Sequence, residues 1–193
     1  MKKKSKFLWD LFDFLEIFVL CSAIVIIIFS FIGRLTIVEG ESMENTLIDG
    51  DFLVIRSAFY EPKQGDIVVI HDTSNEGIYG EPLVKRVIAV GGQTIDIDFD
   101  TWTVTVDGVV LDEPYIKLTG PTLGSVWDYP LTVPENEIFV MGDNRNHSGD
   151  SRTYQVGTID KRCVVGKAVL RVFPLDSFGN PYKNDRSPAE MEG

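Results

Sequence analysis

An uncharged apolar segment near the N-terminus constrains the fold of this 193-residue chain more than any other feature. Residues 17–33 read IFVLCSAIVIIIFSFIG, bracketed by Glu16 and Arg34. Seventeen such residues are at the short end of what spans a bilayer as a helix. The segment shows no polar face with a period near 3.6, which a half-exposed helix would need. We therefore predict a transmembrane helix over residues 14–33 rather than a buried core helix.

A cleaved export signal is the main alternative for this N-terminus. The start MKKKSK has the positive charge of such signals, but the apolar run exceeds their usual length of about 7–15 residues. The only small-x-small triplet, Cys21 to Ala23, lies in mid-run. An uncleaved signal anchor is the better interpretation.

The flanking cations predict the orientation of this anchor. Lys2, Lys3, Lys4 and Lys6 favour a cytoplasmic N-terminus, residues 1–13. The rest of the chain would then lie outside a cytoplasmic membrane that it crosses once. Residues 35–193 contain 13 Lys and Arg against 26 Asp and Glu, which argues against nucleic acid as a partner.

After Arg34 the chain changes to short runs rich in Val, Ile, Thr and aromatic residues, separated by turn signals. Asp107-Gly108 suits a tight hairpin turn. The fold class is therefore mainly β, with one N-terminal helix. We predict an exported domain over residues 34–175 and a loose polar tail over 176–193. The predicted strands are 52–55, 66–70, 83–90, 94–97, 101–106, 137–142 and 164–173.

Two segments offer a nucleophile and a base. Ser42 lies in GESMENTL, shortly after the apolar segment. Lys85 and Arg86 are adjacent in a predicted strand, so they point to opposite faces and one of them is directed towards the core. Lys85 is either an edge-strand lysine whose stem covers apolar surface, or a desolvated amine with a lowered pKa that can act as a base.

A third segment, FVMGDNRNHSGDSR at 139–152, leads from a strand into a polar loop. Such a loop is either functional or a plain turn. Asp150 and Arg152 can form a charge-assisted pair. His147 invites a Ser-His-Asp triad, but neither it nor His71 has apolar neighbours to orient the imidazole. No His/Cys cluster suggests zinc.

Taken in order, these segments resemble the conserved boxes of bacterial type I signal peptidases, membrane-anchored serine proteases with a Ser-Lys dyad. The resemblance covers residues 10–175 and includes the anchor, the serine box, GDFLVI, QGDIVVI, KRVIAVGG and MGDNRNHSGDSR. It implies a signal-peptidase-like β-rich catalytic domain docked on the outer leaflet.

The resemblance also implies roles for individual residues. Ser42 would be the nucleophile, and its backbone N–H would be an oxyanion donor. Lys85 would be the general base. Some members carry a hydroxyl two residues before the nucleophile, where this chain has Gly40. The supporting residues implied are Ser148, which would orient the lysine amine, Asp150 and Arg152, which would brace the site, and Met43, which would shape the substrate cleft.

This chain departs from the family pattern at four positions. Asn45 replaces the usual proline of the serine box, which removes a fixed φ and restores an N–H. Ala89, Gly91 and Gln93 stand where Gly, Pro and Asp are usual after the lysine.

The implied function is a serine endopeptidase that removes N-terminal signal peptides from exported preproteins, without metal or cofactor. Its implied partners are preproteins, the lipid bilayer and the export translocon. Two alternatives stay open: an inactive or catalytically weak anchored module that binds exported chains, and a Ser-Lys peptidase dedicated to a narrow client such as a pilin or spore-coat precursor.

Overall fold

A computed structural model of the chain describes residues 2–31, 33–71, 82–120, 125 and 127–183. The N-terminal helix α1 spans Lys2–Phe31, so it contains both the predicted cytoplasmic segment and most of the predicted anchor. The large apolar side chains between Phe7 and Ile26 are 42–68% exposed. Across the described residues, no helix combines the length and the hydropathy that a membrane crossing requires.

The larger of two antiparallel sheets has seven strands, in the order β1-β2-β11-β3-β4-β9-β10. The long strand β11 lies between β2 and β3, and it follows them through bulges that let one strand serve both neighbours. Strands β3 and β4 are almost wholly buried, because the sheet is covered at its centre. The strands are β1 Arg34–Ile37, β2 Phe52–Arg56, β3 Ile67–Ile70, β4 Leu83–Val90, β9 Glu137–Met141, β10 Ile159–Asp160 and β11 Val164–Phe173.

The smaller sheet has four strands, in the order β7-β6-β5-β8. Asp107 and Gly108 both have positive φ, 51° and 78°, as the predicted tight hairpin turn between β6 and β7 requires. Burial alternates along β5 and β6, so one face of this sheet is apolar and packs inwards. Its strands are β5 Thr94–Asp98, β6 Thr103–Val106, β7 Val109–Val110 and β8 Leu131–Thr132.

Buried apolar side chains fix how the connections cross the sheets. Met43 and Leu47, in the β1–β2 connection, pack against β2, β3 and β11, which holds this connection across the face of the larger sheet. Phe139 of β9 packs with Ile95 of β5 and joins the two sheets. The fold thereby brings the 38–47 connection to the place where β4 lies beside the end of β9.

The mainly β fold and all seven predicted strands are confirmed, with small shifts at their ends. Residues 176–183 of the predicted tail contact the domain. Gly179 pairs with Arg171, and the Tyr182 hydroxyl accepts a hydrogen bond from the Ile67 N–H at 3.0 Å. Tyr182 also packs against the core, which outweighs the polar composition of this segment. Residues 184–193 of the predicted tail lie outside the described residues.

Candidate active site

Ser42 lies on a tight turn that backbone hydrogen bonds and two buried apolar side chains hold in place. The N–H groups of Thr46 and Leu47 both donate to the carbonyl of Met43, at 3.0 and 2.8 Å. Met43 and Leu47 are fully buried beneath the turn. Gly40 has a positive φ of 80°, a conformation that glycine adopts without strain, and this aims the chain into the turn. The hydroxyl of Ser42 is therefore carried by a short segment with two apolar anchors.

Lys85 of β4 reaches this turn from the sheet. Its Nζ donates a hydrogen bond to Oγ of Ser42 at 2.7 Å and a second one to the carbonyl of Val84 at 3.1 Å. The side chain is only 3% exposed. The structure thus brings together the two residues that the sequence proposed as nucleophile and base.

Burial changes the chemistry of the Lys85 amine. Desolvation penalises the charged form and lowers the pKa of Lys85 from 10.5 to about 8. The negative charges of Asp150 and Asp143 act in the opposite direction, and the positive charge of Arg152 acts in the same direction as burial. An appreciable fraction of the amine is therefore neutral near pH 8, as a base requires.

Asp150 and Arg152 form the predicted ion pair, and both are buried. Nε and Nη2 of Arg152 each donate to one carboxylate oxygen at 2.8 Å. Burial alone would raise the pKa of Asp150, but the hydrogen bonds and charge of Arg152 hold it below its ordinary value. The Gly142 N–H also donates to Asp150 at 3.0 Å, so the pair braces the polar loop against the end of β9.

Ser148 lies near this pair, but its predicted bond to the lysine amine is not present. Its buried hydroxyl has no hydrogen-bond partner within the described part of the chain. A Cβ built on Gly142 would lie 2.3 Å from Oγ of Ser148 and 2.4 Å from the carbonyl oxygen of Ser42. Only glycine allows the loop and the Ser42 turn to approach this closely.

Arg86 is a site residue that the sequence did not identify. Alternation along β4 predicted one inward-directed cation, but Lys85 and Arg86 are both buried, at 3% and 4% exposure. Arg86 makes a two-point ion pair with Asp143, at 2.8 and 2.6 Å. The rings of Tyr115 and Tyr182, at 3.7 and 5.8 Å, cover the guanidinium. Both tyrosines are distant in sequence, so periodicity could not reveal this cover.

Asp143 connects this pair to the turn that carries Ser42. Its carboxylate accepts a hydrogen bond of 2.5 Å from the Thr46 hydroxyl. The next residue, Asn144, donates its backbone N–H to the carbonyl of Ser42 at 3.0 Å. The turn, β4 and the polar loop are therefore joined through buried polar contacts as well as apolar packing.

The remaining predicted residues differ in how far the structure involves them. Met43 is 0% exposed and packs in the core, so its role in shaping a cleft stays a prediction. Gly40 donates its N–H to Asp49 at 2.8 Å. His147 is exposed, and Lys85 rather than a histidine lies beside Ser42. No cluster of His, Cys, Asp and Glu suited to a metal ion occurs among the residues described.

Comparisons with known proteins agree with one family. The model of the family described as "Signal peptidase, peptidase S26" matches residues 11–173. A signal peptidase I of Bacillus licheniformis is 35% identical over 88% of this chain and 92% of its own length. A probable signal peptidase I-1 of Synechocystis is 36% identical over 77% of this chain and 76% of its own.

The chain is also similar to solved structures, of which one is described here. It is a signal peptidase I from Enterococcus faecalis V583, 29% identical, and the match covers 58% of this chain and 100% of that one. The TM-score between the two structures is 0.46.

Proposed function

The chain belongs to the signal peptidase family, peptidase S26, and on this premise we propose that it cleaves signal peptides from preproteins with Ser42 as nucleophile and Lys85 as general base. The family makes the chain a serine peptidase of the signal peptidase I type. The observation that carries the assignment of residues is the 2.7 Å contact between Nζ of Lys85 and Oγ of Ser42, with the lysine buried.

The proposed reaction begins with a neutral Lys85. The amine takes the proton from the Ser42 hydroxyl as Oγ attacks the carbonyl carbon of the scissile bond. Lys85 then gives this proton to the leaving amine, and the new N-terminus departs. A water molecule, deprotonated by the same amine, attacks the acyl carbon, the bond to Oγ of Ser42 breaks, and Lys85 returns the proton to Oγ. Burial supports this cycle because it keeps the pKa of Lys85 near 8.

The developing oxyanion needs hydrogen-bond donors. We assign one of them to the backbone N–H of Ser42, which the turn holds in a fixed orientation. Gly40 has no side chain to supply a second donor, and a Cβ there would meet nothing within 4 Å. The space at the Gly40 Cβ position is therefore open, and the second donor is either missing or supplied by another residue.

We propose that α1 anchors the enzyme in the cytoplasmic membrane, with the catalytic domain on the outer side. Its described apolar side chains are widely exposed, and exposed apolar surface of this extent is typical of membrane contact. β1 begins at Arg34, and the Ser42 turn follows it closely. The site would thereby lie near the bilayer and the export translocon, at the end of a substrate's own apolar segment. Cleavage after small residues follows from the family resemblance.

The direct test is cleavage of a signal-bearing preprotein by the full chain in detergent. Ser42→Ala and Lys85→Met should each lower kcat by on the order of 10³-fold or more, because each removes a reacting group. Lys183→Met, which changes an exposed lysine, is the matched control and should cleave like wild type. Cleavage retained in either site variant would refute the dyad.

The same assay distinguishes the alternative of a binding module. Such a module would bind the preprotein and leave it intact at every pH. The buried contact between Ser42 and Lys85 favours the enzyme, because an amine is costly to bury and a binding surface has no use for it there.

A further inference from the structure

Residues 113–117, here called the strap, lie against both the polar loop and the nucleophile turn. Arg145 makes a two-point ion pair with Glu113 at 3.1 and 2.5 Å, and its side chain is fully buried. The backbone of Lys117 donates to Asp143 and accepts from Arg145, at 2.8 and 3.1 Å. The strap is thereby fixed to the loop that follows β9 by side chain and backbone.

Asn45 links the nucleophile turn to this strap. Its Nδ2 donates to the carbonyls of Tyr115 and Ile116, at 3.1 and 3.3 Å. The residue has a φ of 87°, in the left-handed region that asparagine tolerates better than most residues. Proline, which holds φ near −65°, fits neither the backbone conformation nor the amide contacts.

Tyr115 contacts both the turn that carries Ser42 and the strand that carries Lys85. Its carbonyl accepts the amide of Asn45, three residues after Ser42. Its ring stacks on the guanidinium of Arg86, the neighbour of Lys85, at 3.7 Å. A single strap residue therefore touches the turn that carries the hydroxyl and the strand that carries the amine.

We propose that Asn45 is a positioning residue, which sets the nucleophile turn against Tyr115 of the strap and so fixes the distance between Ser42 and Lys85. This inference rests on the proposed function. Lys117 of the strap also forms an ion pair with Glu44 of the turn, and those side chains are 35% and 22% exposed. Such pairs contribute little, whereas small displacements of a reacting group cost much in rate.

Two substitutions at Asn45 separate the effect of the side-chain amide from the effect of the backbone conformation. Asn45→Gly keeps the positive φ and removes the amide. We expect kcat for a preprotein to fall about tenfold, an amount within the range that the loss of the two amide hydrogen bonds supplies, while KM changes less than about twofold. Asn45→Asp keeps the size but sets a carboxylate against two carbonyls, so its kcat should be lower still. Asn136→Gly, at an exposed asparagine away from the site, is the control.

A double-mutant cycle tests whether the amide of Asn45 and the ring of Tyr115 position the same reacting groups. Tyr115→Leu removes the ring contact with Arg86. If the strap works as one unit, Asn45→Gly with Tyr115→Leu should lower kcat no further than the larger single loss. Losses that multiply would overturn the proposal, and so would a wild-type kcat in Asn45→Gly. A fall in kcat that merely follows the folded fraction, measured by thermal unfolding, would also overturn it.

Ser42→Ala in the same assay keeps the two proposals distinguishable. If Ser42→Ala still cleaves, the proposed function is wrong. If Ser42→Ala is inactive while Asn45→Gly equals wild type, only the positioning role is wrong.

Discussion

Two Asp-x-Arg pairs with the same local geometry lie in very different regions of this molecule. Asp150 and Arg152 pair beside the site, with 0% and 5% of their side chains exposed. Asp160 and Arg162 pair at the 3₁₀ helix before β11, with 32% and 90% exposed. In both pairs the arginine donates Nε, Nη2 and its backbone N–H to the carboxylate two residues earlier. The Asp-x-Arg spacing therefore determines which hydrogen bonds form, and burial determines how strongly the pair affects its surroundings.

The pair of Asp150 and Arg152, here called the inner pair, differs in its surroundings from the pair of Asp160 and Arg162, here called the outer pair. Asp150 and Arg152 act on the pKa of Lys85 in opposite directions, and the low local dielectric strengthens both effects. The outer pair has water around it, which screens its charges. A buried pair is weak evidence for stability, because desolvation offsets its attraction. We infer that the inner pair is retained for the electrostatics and rigidity of the site.

Breaking the inner pair from the arginine side should have the largest effect. Arg152→Met leaves the Asp150 carboxylate buried without its partner, so the free energy of unfolding should fall by about 3–5 kcal/mol. It also removes a positive charge that lowers the pKa of Lys85. The acidic limb of the kcat profile should then move to higher pH. Chemical denaturation and a pH series measure the two effects, and an unchanged unfolding midpoint would show that burial adds nothing to this pair.

Breaking it from the carboxylate side should cost similar stability but move the pH profile the other way. Asp150→Asn removes a negative charge that raises the pKa of Lys85, so the acidic limb should move to lower pH. Limbs that move in the same direction in Asp150→Asn and Arg152→Met would contradict the assigned electrostatics.

The burial of Lys85 itself should appear in the stability of the protein. Its pKa is about 8 in the folded chain against 10.5 for the unperturbed group, so the unfolded chain binds more protons between these values. Below about pH 8, Lys85→Met should be more stable than wild type, by on the order of 3 kcal/mol. The difference should shrink as the pH rises towards 10.5. A difference that does not depend on pH would show that the amine titrates normally.

The outer pair should give the smallest effect. Arg162→Met removes the same contacts as Arg152→Met, but from an exposed side chain. We expect the unfolding midpoint, kcat and pH profile to equal those of wild type. A loss of stability or kcat comparable to that of Arg152→Met would mean that local geometry, rather than burial, determines how much such a pair contributes.

The sequence predicted the fold where strands are long and rich in β-branched residues, as at β4 and β11. It missed β1, β8 and β10 because runs of two to four residues are too short to show a period. Residue type and local spacing made Ser42, Lys85 and the inner ion pair candidates, and the resemblance to signal peptidases implied their roles. It did not reveal Tyr115 above Arg86 or Asn45 on the strap, because those contacts join segments 29–71 residues apart.

The most direct test of the account is a titration of the Lys85 amine itself in the full chain. A lysine selectively labelled with ¹⁵N can be followed by NMR, with Lys85→Met used to assign its signal. The account predicts that the pKa of Lys85 lies at about 8, and that kcat rises with the same midpoint. A pKa near the ordinary 10.5 would contradict it, because the amine beside Ser42 would then be protonated throughout the range in which it must act as a base.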